Sequence, residues 1–263
     1  MCPKFRGKIK CYLYTDSAIT VQNELKRLRY DIAGIKASED QPIREFIRTA
    51  SLNNGNCKEA AEPIRVNDVI AESTALIDVL SGFKDKDRTY FFILNGRQIS
   101  EIITKSDLQK SPVRILIFGI ISLLEMRLTS LAGEYFPNEK WRKILKQTRI
   151  EAAEALHEMR KERNEEIDLT DCLQLADKRD LVLASKEMRD HLGLETKGEA
   201  QRVLKSIEKI RDKLAHSQED IVSGTTWEKL IESVLRAEQM LQRSDEIVEK
   251  DAQNEAMNSR TCQ

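Results

Sequence analysis

Residues that interrupt a chain are scarce in this sequence: 263 positions hold only ten glycines and five prolines. That scarcity argues against an all-β sandwich with many tight turns, and 33% charged residues with only 5% aromatics lean towards helix. Histidine is rare too, with His157, His191 and His216 and no close Cys/His spacing, so no zinc site is expected. The cysteines (Cys2, Cys11, Cys57, Cys172 and Cys262) are odd in number and contain no C-x-x-C pair. The basic opening MCPKFRGKIK is not followed by an apolar run, so no secretory signal is read there. Reduced thiols and a cytoplasmic location are expected. Net charge is −1, which excludes a chain that is polybasic throughout but leaves room for local patches. The longest apolar run, residues 113–124, is interrupted by Arg114 and stopped by Glu125. A span needs roughly 20 residues, so a buried helix and no membrane association are expected. No Walker loop, G-x-S-x-G or H-E-x-x-H occurs, which removes support for P-loop, α/β-hydrolase and zinc-protease chemistry.

What is present changes texture at Lys110, Ser111 and Pro112. Short stretches rich in Ile, Val, Phe and Tyr precede this point, and long helical patterns follow it. Ser111 before Pro112 is a good helix start. The expected fold class is α+β: residues 1–110 as paired α/β modules, 111–245 as an all-helical bundle, and 246–263 as a polar, disordered tail.

The first part contains a repeat. Residues 42–52 align without gaps on 98–108, at an offset of 56 positions, with Ile43/Ile99, Glu45/Glu101, Ile47/Ile103 and Leu52/Leu108 identical. Around each copy the same order is expected: a helix (18–30; 73–82), a strand (31–36; 89–94), a second strand (43–47; 98–103), then a helix start. Asn95-Gly96 reads as a hairpin turn. Neither half could bury its sheet alone, so the copies should pack together.

With its apolar strand 99–103 followed by Thr104-Lys-Ser-Asp107-Leu108, the second copy makes this region resemble a pair of CBS domains. The resemblance implies an adenosine ligand such as AMP, ADP, ATP or S-adenosylmethionine, with Thr104 and Asp107 contacting ribose or phosphate. A hydroxyl and a carboxylate three residues apart share a helical face. The same two residues could simply cap the next helix. The first copy departs from the pattern, carrying Arg48 and Ser51 at the matching positions.

In the second part, helices are expected over 112–135, 138–166, 178–192 and 197–215. A last one, opened by a Thr225/Glu228 capping box, should run to about Arg243. Residues 115–124 are apolar on nearly every face, which predicts a core helix or a dimer seam. On the helix over 200–216, Val203, Ile207, Ile210 and Leu214 form an apolar stripe with Leu204 at its edge. Arg202, Lys205, Lys209 and Lys213 lie opposite, and Arg211 falls inside the apolar sector. A guanidinium cannot lose its proton, so an inward one needs a partner. A glutamate on a neighbouring helix would serve.

The segment Arg211-Asp212-Lys-Leu-Ala-His216-Ser217 resembles the R-x-x-x-x-H signature of HEPN domains, all-helical modules found in RNA-cleaving toxins, defence systems and RNA processing. The resemblance implies metal-independent cleavage in which His216 moves protons, Arg211 stabilises phosphorane-like charge, and two protomers assemble one site. The products would carry 2′,3′-cyclic phosphates. Asp212 stands where the family often has Asn, and some members are inactive adaptors. A second basic stretch, with Lys140, Arg142 and Lys143 around Trp141, could track RNA phosphates with the indole stacking a base, or could be a solvated face with Trp141 in the core. Lys205 and Lys209 would add to an RNA surface. The expectation is a nucleotide-regulated endoribonuclease acting as a homodimer, of toxin, defence or RNA-processing type, with a cognate antitoxin as a possible partner. The alternative is a non-catalytic adenine-nucleotide-sensing dimer, or the partner of a separate toxin or nucleotidyltransferase.

Overall fold

A computed structural model describes residues 7–216 and 220–261. Cys2, Ser217 and Cys262 lie outside the described residues. The chain is α+β and divides into two compact units, Met1–Val113 and Arg114–Gln263, three residues from the change in texture.

The first unit runs β1 (Gly7–Lys8), β2 (Cys11–Leu13), α1 (Ala18–Leu28), β3 (Ile32–Lys36), β4 (Glu45–Arg48), β5 (Glu62–Pro63), β6 (Val69–Ala71), α2 (Leu76–Gly82), β7 (Tyr90–Asn95) and β8 (Gln98–Thr104). The repeat holds in the strand pairing, with an offset of 56 positions from β4 to β8 and of 58 from β2 to β6 and from β3 to β7. In the first copy β2 pairs in parallel with β3, Cys11 opposite Gly34, and β3 pairs antiparallel with β4, Ile32 opposite Arg48. In the second, β6 pairs with β7, Val69 opposite Phe92, and β7 with β8, Tyr90 opposite Thr104. Each sheet then receives its fourth strand from the segment leading into the other copy. β5 precedes the second copy but pairs with β4, and β1 precedes the first but pairs with β8.

This exchange accompanies a shared core. Phe46 of the first copy meets Tyr90 and Phe92 of the second, with ring centroids 5.7 and 5.3 Å apart, and Ile9, Ile64 and Ile99 pack around them. A second cluster, including Val21 and Leu25 of α1 with Ile35 and Ile47, fills the first copy. The hairpin turn falls one residue later than expected. Asn95 pairs with Gln98, leaving Gly96 and Arg97 as the turn, and Gly96 takes a φ of 59° that glycine adopts without strain.

In the second unit the helices are α3 (Ser111–Tyr135), α4 (Gln147–Lys161), α5 (Leu175–Ala184), α6 (Lys186–His191), α7 (Lys197–Ala215) and α8 (Trp227–Thr261). Several expected boundaries move. The helix expected over 138–166 is only α4. Asn138 and Glu139 hold left-handed φ values of 56° and 55°, and Lys140–Lys143 forms a separate 3-10 turn. Asn164, at φ 59°, prevents continuation at the far end. The helix expected over 178–192 begins earlier and is split at Ser185, whose extended backbone ends α5 and whose hydroxyl caps α6 by accepting from Met188 N at 3.0 Å. The final helix is capped at Thr226 rather than Thr225, with Lys229 N donating to its hydroxyl at 3.4 Å. It passes Arg243 and runs to Thr261, so most of the expected disordered tail is helix. Neither glycine nor proline occurs after Gly224, and the tail is built of adequate helix formers.

The helix α3 is long and apolar enough to cross a bilayer by length and composition, with 39% of its most apolar window buried. It buries Ile117, Ile121, Leu124 and Leu128, while Ile115 (71%), Phe118 (48%), Leu123 (56%) and Met126 (66%) are exposed.

Candidate functional site

Helix α7 is clearly amphipathic. Ala200, Leu204, Ile207 and Ile210 are buried, and Thr196 caps the start by accepting from Glu199 N at 3.1 Å. On the opposite side Arg202, Lys205, Lys209 and Lys213 line a groove of about 440 Å³ together with Ser206 and Thr225. The three acids of α7 all turn elsewhere: Glu199 to Arg236 at 2.7 Å, Glu208 to Arg179, and Asp212 to Arg211 at 3.3 Å. Lys213 reaches the carbonyls of Ile221 and Ser223 and so pins the loop before α8. Arg202, Lys205 and Lys209 have no carboxylate partner among the described residues. Their spacing of three and four residues sets the cations about 4.5 and 6 Å apart along the axis.

Arg211 sits on the inward side of α7, as its place in the helical pattern requires. Its Nε is buried and makes no hydrogen bond. The glutamate partner expected from a neighbouring helix is replaced by Asp212, the next residue. Close enough to feel its charge is a group the sequence did not single out, Lys178 of α5. Its side chain is only 4% exposed, and its ammonium lies 3.8 Å from Glu125 Oε1 and 3.4 Å from the Glu125 carbonyl. Burial pushes the Lys178 pKa down, Glu125 opposes this, and the Arg211 guanidinium adds to the depression. The sequence did hold a signal: Leu175, Lys178 and Leu181 are spaced as one helical face, so the lysine interrupts an apolar stripe.

His216 follows the last residue of α7 with extended backbone and is exposed. Arg114 Nη2 donates to the His216 carbonyl at 3.2 Å and to that of Lys213 at 3.4 Å. A cation at the C-terminal carbonyls is the favourable end of the helix dipole. The contact ties the end of α7 to the first turns of α3, beside exposed Ile115 and Phe118. The other histidines are satisfied. Buried His191 has Nδ1 3.0 Å from Tyr135 Oη and Nε2 2.9 Å from Ser244 Oγ, and His157 Nε2 lies 3.1 Å from the Ile167 carbonyl.

The patch around residue 141 is not a stacking platform. Trp141 is buried, and Arg142 is engaged by Glu139 at 2.6 Å and Glu154 at 2.5 Å. Lys140 and Lys143 remain exposed. In the first unit Thr104 and Asp107 form a capping box. The Asp107 carboxylate accepts from Thr104 N at 2.7 Å and Thr104 Oγ1 at 2.8 Å, and it pairs with Lys110 at 2.6 Å. Arg48, the counterpart of Thr104, donates to Glu62 and to Tyr90 Oη, each at 3.0 Å.

No family model and no curated protein matches the sequence. Among solved structures, Staphylococcus aureus OpuCA is similar at 10% identity over 40% of this chain and 92% of its own, with a TM-score of 0.35. Hypoxic Response Protein I, crystallised with two coordinated zinc ions, gives the same identity and coverage with a TM-score of 0.32. Protein MJ1004 from Mathanocaldococcus jannaschii is 14% identical over 75% of this chain and 97% of its own, with a TM-score of 0.37. At TM-scores below 0.5 these likenesses carry no argument about fold, ligand or activity.

Proposed function

We propose that the protein is an RNA-binding, metal-independent endoribonuclease in which two copies assemble the catalytic centre. One observation carries this reading: α7 presents a row of cations whose helix-mates are all paired elsewhere, and the row leads to an exposed His216. The row would hold successive phosphates. His216 would transfer the proton of a ribose 2′-hydroxyl, or return one to the leaving 5′-oxygen, and Arg211 would balance charge on the phosphorane. One chain supplies one such pair. The exposed apolar face of α3 beside His216 supports a two-fold partner that brings the second. The duplicated sheets with exchanged strands support reading the first unit as a CBS-like pair that responds to an adenine nucleotide. Asp107 would have to leave its capping role in part to meet a ribose.

A second reading is favoured by the ion pair between Asp212 and Arg211. A carboxylate on the guanidinium competes with a scissile phosphate, which suits a non-catalytic RNA-binding adaptor. Labelled RNA incubated with the protein in EDTA separates the two readings. The nuclease predicts cleavage to 2′,3′-cyclic phosphate ends, reduced about 100-fold or more in both His216→Ala and Arg211→Ala, with both variants folded by circular dichroism. Equal cleavage by all three proteins overturns the catalytic roles. Retained RNA binding with no cleavage by the wild type favours the adaptor.

A further inference from the structure

Lys178 is a charged group without adequate compensation. Burying an ammonium is costly unless it is paired and hydrogen-bonded, yet its nearest carboxylate oxygen is 3.8 Å away, and its one hydrogen bond among the described residues, to a carbonyl, is long at 3.4 Å. The neighbouring acids Asp171 and Asp177 favour its charged form through space, but each is committed elsewhere. Asp177 is taken by Arg149 through two bonds of 2.8 and 2.7 Å, and Asp171 accepts from Asp168 N at 2.9 Å. Arg211 adds a second cation nearby, with a buried Nε that nothing satisfies.

Lys178 lines a hollow of about 680 Å³ between α3, α4, residues 167–171 and α5. Its walls combine polar groups such as Ser122 and Thr170 with the apolar side chains of Met126 and Ile167. We propose that this hollow is a binding site for a small organic carboxylate, with the carboxylate on the Lys178 ammonium and the carbon body against Met126 and Ile167. Glu125, Asp168 and Asp171 also line it, as does Arg160, which is held by Glu165 at 2.7 Å; the three carboxylates disfavour polyanions and dianions and select a single negative charge. A carboxylate at hydrogen-bonding distance supplies the acceptor that Glu125 does not, and in a half-buried site such a bond is short and strong. This site is separate from the α7 groove and does not depend on the RNA reading.

The test uses the full chain titrated with propionate, with inorganic phosphate at pH 8 in parallel and sodium chloride matching ionic strength. The readout is the thermal unfolding midpoint of the protein. Propionate should raise the midpoint saturably and more than phosphate does. Lys178→Met should weaken propionate binding about ten-fold or more, the scale of a hydrogen bond to a charged group. Glu125→Gln removes the competing carboxylate and should bind propionate several-fold more tightly. This variant keeps the test decisive if Lys178→Met does not fold. A Lys205→Glu/Lys209→Glu double variant should respond as the wild type does. No saturable shift with propionate, a larger shift with phosphate, or weaker binding by Glu125→Gln each overturns the proposal.

Discussion

The two units treat their charged side chains differently. In the first, the residues that looked most like ligand contacts are engaged within the fold. Asp107 caps the turn after β8 and pairs with Lys110, and Arg48 bridges Glu62 and Tyr90 while lying 5.2 and 5.4 Å from the ring centroids of Phe46 and Tyr90. Along α7 of the second unit the acids are engaged and three cations are left over. Glu199, Glu208 and Asp177 all have arginine partners, while Arg202, Lys205 and Lys209 have no carboxylate among the described residues. The contrast teaches that residue type and spacing identify candidates, and that the pairing of neighbours decides which candidates keep capacity for a ligand.

Three variants probe the contrast. Asp177 is buried, holds Arg149 through two bonds and also caps α5 by accepting from Gln174 N at 2.9 Å. Asp177→Ala should cost about 2 kcal/mol, because it removes two charge-assisted hydrogen bonds to the part-exposed Arg149 together with the cap of α5. Urea unfolding followed by circular dichroism measures it, and a loss below about 1 kcal/mol would show that the pair contributes little. Asp107→Ala should cost about 1 kcal/mol, the usual scale for a lost cap, by the same measurement. If calorimetry shows that it also abolishes binding of AMP or ATP by the wild type, the engaged residue serves two roles and the contrast softens. Smallest in stability is Lys205→Glu/Lys209→Glu, which should change unfolding by less than about 0.5 kcal/mol. The same variant should weaken single-stranded RNA binding and lower the salt dependence by roughly one per cation removed. An unchanged salt slope would place the RNA surface elsewhere.

Much of the first unit was legible because its repeat is a comparison internal to the chain: residues 42–52 and 98–108 specify the same strand and turn. Strands β1, β2, β5 and β6 were not, since two or three residues cannot display an alternation of period two. Helix α7 and the inward position of Arg211 followed from periodicity. The interruptions at Glu139 and Ser185 did not, because each depends on backbone dihedrals set by packing. The basic groove was legible as a face of α7, but its lack of neutralising acids was not. That depends on Arg179 and Arg236, which come from α5 and α8. Trp141 marks the opposite limit, since an indole among cations reads equally as a stacking platform or as core.

The exchanged strands also set an order of events during synthesis. Gly7 pairs with Ile102 and Glu45 with Pro63, so neither sheet closes using its own copy alone. A nascent chain emerging at about 5–20 residues per second carries β1 outside the ribosome for on the order of ten seconds before β8 arrives. Through that interval the outer edge of the first sheet can be covered as soon as β5 emerges, while the second must wait for a strand made long before it. Such long-range closure slows folding and leaves unpaired edges open to other chains. Pairing along the β8 edge therefore waits until both ends of the first unit have been made, and a chain lacking residues 7–8 is expected to leave that edge unpaired.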